Sequence, residues 1–339
     1  MNPKLSLIAL LFLQEMNRKL FLQGDKVEVR CSDSGGLDVF ISSIDADPSV
    51  SHGGITPVSW FGDKGFITGG ESSYSSLNKI VFSSESITTF GTLFPSYNSL
   101  PAYASNGTIG LILTYEASYT SNNTISLNYS DDSITYPYST IYTHVFRPGS
   151  ATNGIVYIIA GGYYSGYRSY LQHGDFESGS QAMNIGNTYY TSDYQSCGIN
   201  NSLYGLWASC NHNSRRIDYS EFATQGSMSY WAELYTSSRG IAGGSNEEMS
   251  LLTCGYYNST IIQQIQFASQ SNSTWFAYLY YGDYELGAGT DGINVLFHCG
   301  EYGRSFKTDF ASGGITAPYV NWGGTNFDGG RCAIITGNG

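Results

Sequence analysis

An aromatic residue, followed by Ser or Thr at once or after one small residue or Glu, returns six times along the chain at a nearly constant interval. It stands at Phe82, Tyr129, Phe176, Phe222, Phe267 and Phe310, with successive spacings of 47, 47, 46, 45 and 43 residues. A second marker opens another strand about five residues later, at Ile87, Ile134, Met228 and Ile315, with a further copy at Ile55. Several of these strands carry a matching tetrad: Phe90-Gly-Thr-Leu93, Trp231-Ala-Glu-Leu234 and Phe276-Ala-Tyr-Leu279. A third marker is an apolar strand that ends in a small or turn residue. It starts at Gly65, Gly110, Gly154, Tyr204, Met249, Ile293 and Arg331, which makes seven copies.

A period of about 45 residues with several short strands per unit is the sequence sign of a β-propeller. One such unit cannot bury both faces of its sheet, so neighbours must stack face to face. The expected fold is all-β: a seven-bladed β-propeller of four-stranded blades over residues 32–339, preceded by an N-terminal arm, residues 1–31. With strands named A to D from the centre outward, the apolar strand is B, the aromatic-Ser strand is C and the tetrad lies on D. The chain ends suggest how the ring closes. Leu37–Ser43 and Ile55–Trp60 read as a C and a D strand, and Ala333–Gly337 reads as a B strand, so a two-plus-two closure is expected. There is no room for an A strand between Trp60 and Phe66, and the span from Ile315 to Ile334 is contracted.

Composition agrees with many short strands. Charged residues are only 12%, while Gly numbers 41 and Tyr 29; long surface helices need more Glu, Lys and Ala. The net charge is −12 and no Lys/Arg-rich run occurs, which argues against nucleic acid as a partner. None of the six cysteines (Cys31, Cys197, Cys210, Cys254, Cys299, Cys332) forms a C-x-x-C pair, so a zinc site has little support; the even number permits disulfides without requiring them, and buried free thiols are expected.

Residues 1–16 hold an apolar run that is too short to span a bilayer as a helix. One reading is a signal peptide, although no small-x-small cleavage site follows. The other is a docking arm: Asn2 and Pro3 can start a helix, and Leu5, Leu7, Ile8, Leu10, Leu11, Phe12 and Leu13 would bury it against another subunit or as an extra layer on the chain's own propeller. Leu20–Arg30 then reads as a hairpin with a Gly-Asp turn.

Chemistry is sparse. The five histidines form no H-x-x-x-H or H-E-x-x-H pair, and no G-x-S-x-G elbow occurs. Asp45, Asp47 and the stretch Asp283 to Asp291 lack calcium-loop spacing. No catalytic residue, cofactor or metal is expected. Tyrosine pairs such as Tyr163-Tyr164, Tyr189-Tyr190, Tyr256-Tyr257 and Tyr280-Tyr281 place one ring between blades and leave the other for an adaptable or glycan-stacking surface. In a secreted chain, Asn106, Asn122, Asn128, Asn200, Asn258 and Asn272 would be glycosylation acceptors.

The stretch IDYSEFATQGSMSYWAELYTSSRGIAGGSN, Ile217 to Asn246, and the copy NKIVFSSESITTFGTL, Asn78 to Leu93, resemble kelch-type propeller repeats. They resemble even more the kelch-like repeats of structural proteins from tailed bacteriophages. That resemblance covers residues 37–339. It implies a non-enzymatic virion component on the capsid, neck or tail, with protein subunits as partners. A secreted glycan-binding or adhesion propeller is the alternative.

Overall fold

The computed structural model describes residues 27–31, 37–41, 60–69, 76–92, 102–113, 122–143, 145, 148–162, 169–177, 181–188, 197–208, 214–237, 240–253, 255, 260–279, 286–298, 305–312 and 332–337. The chain divides into two compact units, Met1–Pro57 and Val58–Gly339. In the first, Val27–Cys31 pairs antiparallel with Leu37–Ile41. The apolar residues 5–13 and most of the expected Leu20–Arg30 hairpin lie outside the described residues.

The second unit is a β-propeller. Among the described residues it has six blades, each an antiparallel sheet. Blade 1 orders Cys332–Gly337, Lys64–Gly69, Ser76–Val81 and Ser86–Thr92 as strands A to D. Blade 2 is Ala102–Ser105, Ile109–Leu113, Thr124–Asn128 and Ile134–Thr135. Blade 3 is Gly149–Thr152, Val156–Ala160, Tyr170–Asp175 and Met183–Asn187. Blade 4 is Cys197–Asn200, Tyr204–Ala208, Arg216–Glu221 and Ser229–Glu233. Blade 5 is Gly243–Ser245, Met249–Thr253, Ile261–Gln266 and Thr274–Tyr278. Blade 6 has strands A to C, Gly287–Thr290, Asn294–His298 and Ser305–Asp309. The six A strands touch in one closed cycle, blade 6 against blade 1 included.

Two expectations are corrected here. The ring has six blades, not seven, and it closes one-plus-three, not two-plus-two. The C-terminal strand pairs with Lys64–Gly69, Ile334 opposite Ile67, and so is the A strand of blade 1 and not a seventh B strand. Leu37–Ile41 pairs with Val27–Cys31 and not with the C-terminus. The physical reason lies in an edge. The chain enters the ring directly at a B strand, whose inner edge is unpaired until the last strand covers it. An innermost and a second strand buried on both faces are both short, apolar and small at their ends, so AIITG and GFITGG look alike in sequence. No helix occurs among the described residues.

The six repeat aromatics are what the blades pack on. Six apolar clusters each bridge two successive blades, and each contains one marker: Phe82 with Leu296, Tyr129 with Phe66, Phe176 with Ala102, Phe222 with Ile158, Phe267 with Leu206, and Phe310 with Leu251. Phe82, Phe222, Phe267 and Phe310 are buried between blades, all four at most 6% exposed. Each marker's amide also donates to the carbonyl at the start of its own B strand, as in Phe222 N to Leu203 O at 3.1 Å and Phe310 N to Ile293 O at 3.0 Å. One residue thus ends strand C, fixes its pairing to B and fills the gap to the preceding blade.

Candidate functional site

The outer surface is organised by one irregularity, repeated. In blades 1, 3, 4 and 5 the C–D pairing shifts register at the same place, after Leu77, Leu171, Ile217 and Ile262. The extra residues on strand D are Phe90, Ile185, Trp231 and Phe276. A β-bulge puts two residues opposite one and turns the strand. The tetrad aromatics Phe90, Trp231 and Phe276 are therefore bulge residues that anchor strand D to the core. Phe90 meets Phe66 with centroids 5.3 Å apart, and Trp231 meets Tyr204 at 5.3 Å and Tyr219 at 5.2 Å.

Opposite each bulge, strand C carries a buried polar residue: Asn78, Gln172, Asp218 and Gln263, none more than 2% exposed. Two of them hold the loop that leaves the preceding blade. The Gln172 side chain accepts from Thr143 N at 3.0 Å and donates to Thr143 O at 3.1 Å. The Gln263 carbonyl accepts from Tyr235 N at 2.9 Å and from Ser273 Oγ at 2.7 Å. In blade 4 the place belongs to Asp218, which accepts from Arg216 Nε at 2.7 Å. Burial raises its pKa, against the opposing pull of Arg216.

Beyond this polar row lies an exposed aromatic row. Residues on strands C and D that face the preceding blade include Tyr170 in blade 3, Arg216 with Tyr230 in blade 4, and Trp275 with Tyr278 in blade 5. Tyr142, on the loop leaving blade 2, meets Tyr170 edge-on at 6.0 Å. The Arg216 guanidinium lies 5.0 Å from the Tyr230 ring centre. Trp275 and Tyr278 are 46% and 48% exposed, with centroids 5.4 Å apart and planes at 53°. They are three positions apart, and an unbroken strand would send them to opposite faces. The bulge at Phe276 brings both to one face. A cleft of about 790 Å³ opens at the blade 2–blade 3 seam, lined by Tyr142, His173, Asp175, Gln181, Met183 and Asn184 among others. Burial lowers the pKa of His173, with Asp175 pulling the other way, which favours a neutral imidazole at neutral pH.

The sequence-selected positions are scattered. Asn106 and Asn128 accept backbone bonds in turns, Asn122 donates to Tyr142 O at 3.5 Å, and Asn272 is exposed and accepts from Glu233 N. Asn200 is 7% exposed and accepts from Thr152 N in the neighbouring blade, so its amide is held in the ring. Asn258, the four tyrosine pairs and Cys210, Cys254 and Cys299 lie outside the described residues. Cys197 is a buried free thiol, its pKa pushed up to about 12 by burial. The pair Trp275 and Tyr278 escaped sequence reasoning, which placed the tetrad on strand D without assigning its residues to faces. The signal was present: T-W-F-A-Y puts aromatics on both sides of a bulge residue, but only the register shift shows which of them face out.

No helix among the described residues is long and apolar enough to cross a membrane. No protein-family model matches the chain, and no curated protein matches it.

Proposed function

We propose that this chain is a non-catalytic recognition module, a propeller that serves as a rigid carrier for a binding surface on its outer strands. The observation behind this reading is a division of labour. The aromatic markers that recur at every seam are buried and pack the blades together. The residues that do not repeat, Tyr142, Tyr230, Tyr235, Trp275 and Tyr278, are all 48% or more exposed except Trp275 at 46%, and all lie on D strands or the loops that leave them. Half-exposed Tyr and Trp supply contact area with few rotatable bonds, which is the chemistry of adaptable recognition.

The resemblance of its repeats to the kelch-like repeats of structural proteins from tailed bacteriophages supports a virion role for such a module, with other capsid, neck or tail subunits as partners. The alternative is a secreted glycan-binding propeller, and it shares the same outer surface. Two experiments test the reading. Mass spectrometry of purified particles from a phage carrying this gene should recover the chain, and its absence removes the virion assignment. A screen of the full chain over oligosaccharides and esters should show bound ligand of unchanged mass. Turnover that disappears on changing one carboxylate would overturn the non-catalytic reading.

A further inference from the structure

We infer that Trp275 and Tyr278 form a stacking platform for a neutral saccharide; this rests on the recognition reading above and names the ligand class of one site. The platform starts from the bulge at Phe276. That residue packs into the apolar cluster between blades 5 and 6, and the pairing shift around it puts Gln263 opposite Trp275 and Ile261 opposite Tyr278. Ile261 and Gln263 are two apart on one strand and share a face, so the two rings share it too. The centroid separation of 5.4 Å and the interplanar angle of 53° make a shallow angled surface instead of a flat stack.

Polar groups frame it. Asn272 is exposed and its carbonyl accepts from Glu233 N at 3.0 Å, which fixes its side chain at the rim. Ser273 Oγ accepts from Tyr235 N at 2.6 Å and donates to Gln263, so Tyr235, itself 53% exposed, is tied next to the platform. These contacts hold the rim in place before any ligand arrives, which lowers the ordering cost of binding.

Size and charge select the occupant. Two half-exposed aromatic side chains offer roughly 200 Å² of ring surface in total. A standard protein interface needs roughly 800 Å² from each partner, so the pair is too small to be the core of a protein dock. It matches the apolar C–H face of a sugar ring, whose hydroxyls then reach the amide and carboxylate groups at the rim. Glu233, whose amide holds Asn272 at the rim, is paired with Arg215 at 3.6 Å, and the chain carries −12 overall. An anionic polymer would meet net repulsion here; a neutral one does not.

The test uses the full chain with cellohexaose, mannohexaose and chitohexaose as neutral probes and hexagalacturonate as the anionic one, read by calorimetry and tryptophan fluorescence. At least one neutral hexamer should bind, with Trp275→Ala and Tyr278→Ala each weakening it tenfold or more. Trp275→Phe should retain most of the affinity, and Tyr142→Ala, in the separate cleft between blades 2 and 3, should leave it within twofold. The platform is overturned if no neutral hexamer binds, if hexagalacturonate binds best, or if Trp275→Ala leaves affinity within twofold. Binding lost only in Tyr142→Ala overturns the platform but keeps the recognition reading. A platform-dependent ligand that is recovered cleaved keeps the platform and overturns the non-catalytic reading.

Discussion

Among the described residues, four other than glycine, Glu85, Asp132, Gln225 and Gln270, hold φ values of 50, 59, 49 and 46°. Each stands three places after a repeat aromatic, in the turn between strands C and D. The left-handed conformation costs an L-residue about 1–2 kcal/mol; the sequence places Gly179 and Gly313 at the matching positions of the other two repeats. Gln225→Gly and Gln270→Gly should therefore each raise stability by about 0.5–1 kcal/mol, after glycine's greater loss of chain entropy, measured as a shift in urea midpoint. Lowered midpoints in both would show that the turn is held by the side chains instead. His298 makes a second residue-scale case. It is 4% exposed, and burial lowers its pKa to about 4. Between that value and about 6.5 the unfolded chain takes up a proton that the folded chain refuses. This contribution to stability is complete above about pH 6.5 and is lost as pH falls, by about 3 kcal/mol at pH 4. Urea midpoints for the native chain and His298→Gln should diverge in slope across that window; parallel slopes would remove His298 as the cause.

The A strands set the tightest tolerances among the elements. A Cβ at Gly198 would lie 1.9 Å from the carbonyl oxygen of Ser150 in the neighbouring blade, and one at Gly244 would lie 2.8 Å from Val295. Small residues are needed where six strands converge. Gly198→Ala should lower the melting temperature by several degrees, whereas Gly226→Ala, with nothing within 4 Å of its Cβ, should change it little. Equal effects would mean that the A strands can spread. The A–B turns repeat as well: the side-chain oxygens of Asn153, Asn201, Asn246 and Asp291 each accept two backbone amides, at 2.6–3.0 Å. This device was legible in the sequence only as Asn or Asp after a small polar residue, because an Asx turn and an ordinary loop have the same composition. The bulges were less legible still. The aromatics that create them were visible at regular spacing, but a bulge is a relation between two strands.

Ring closure belongs to the whole molecule. The strands of the propeller run from Lys64 to Gly337, and the C-terminal strand supplies the inner edge of blade 1. Residues 58–339 should therefore fold alone to a cooperative β structure, monitored by circular dichroism and thermal melting. Residues 1–331 should not, because the ring then opens at a B strand with a bare inner edge. A stable 1–331 chain, or an unfolded 58–339 chain, would contradict the one-plus-three closure. Two blade seams share an ion pair built from matching positions, Lys79 with Asp132 and Lys307 with Glu85. Among the described residues the other seams show no such pair, so apolar packing at the six repeat aromatics is the common means by which blades associate.

The period of the aromatic markers determined that this chain is a propeller, because residues 45 apart that must all be buried can be satisfied only by stacking equal units. The same six markers held the blade number, one per seam, while the apolar strands overstated it by one. Strand composition reports burial, and the last strand is buried as an A strand would be or as a B strand would be. Which neighbour it pairs with is decided by the free edge at Lys64–Gly69, a partner some 270 residues away. The candidate site follows the same rule. The tyrosine content made an adaptable or glycan-stacking surface an expectation, but the face that Trp275 and Tyr278 share exists only because one residue bulges out of the pairing between two strands.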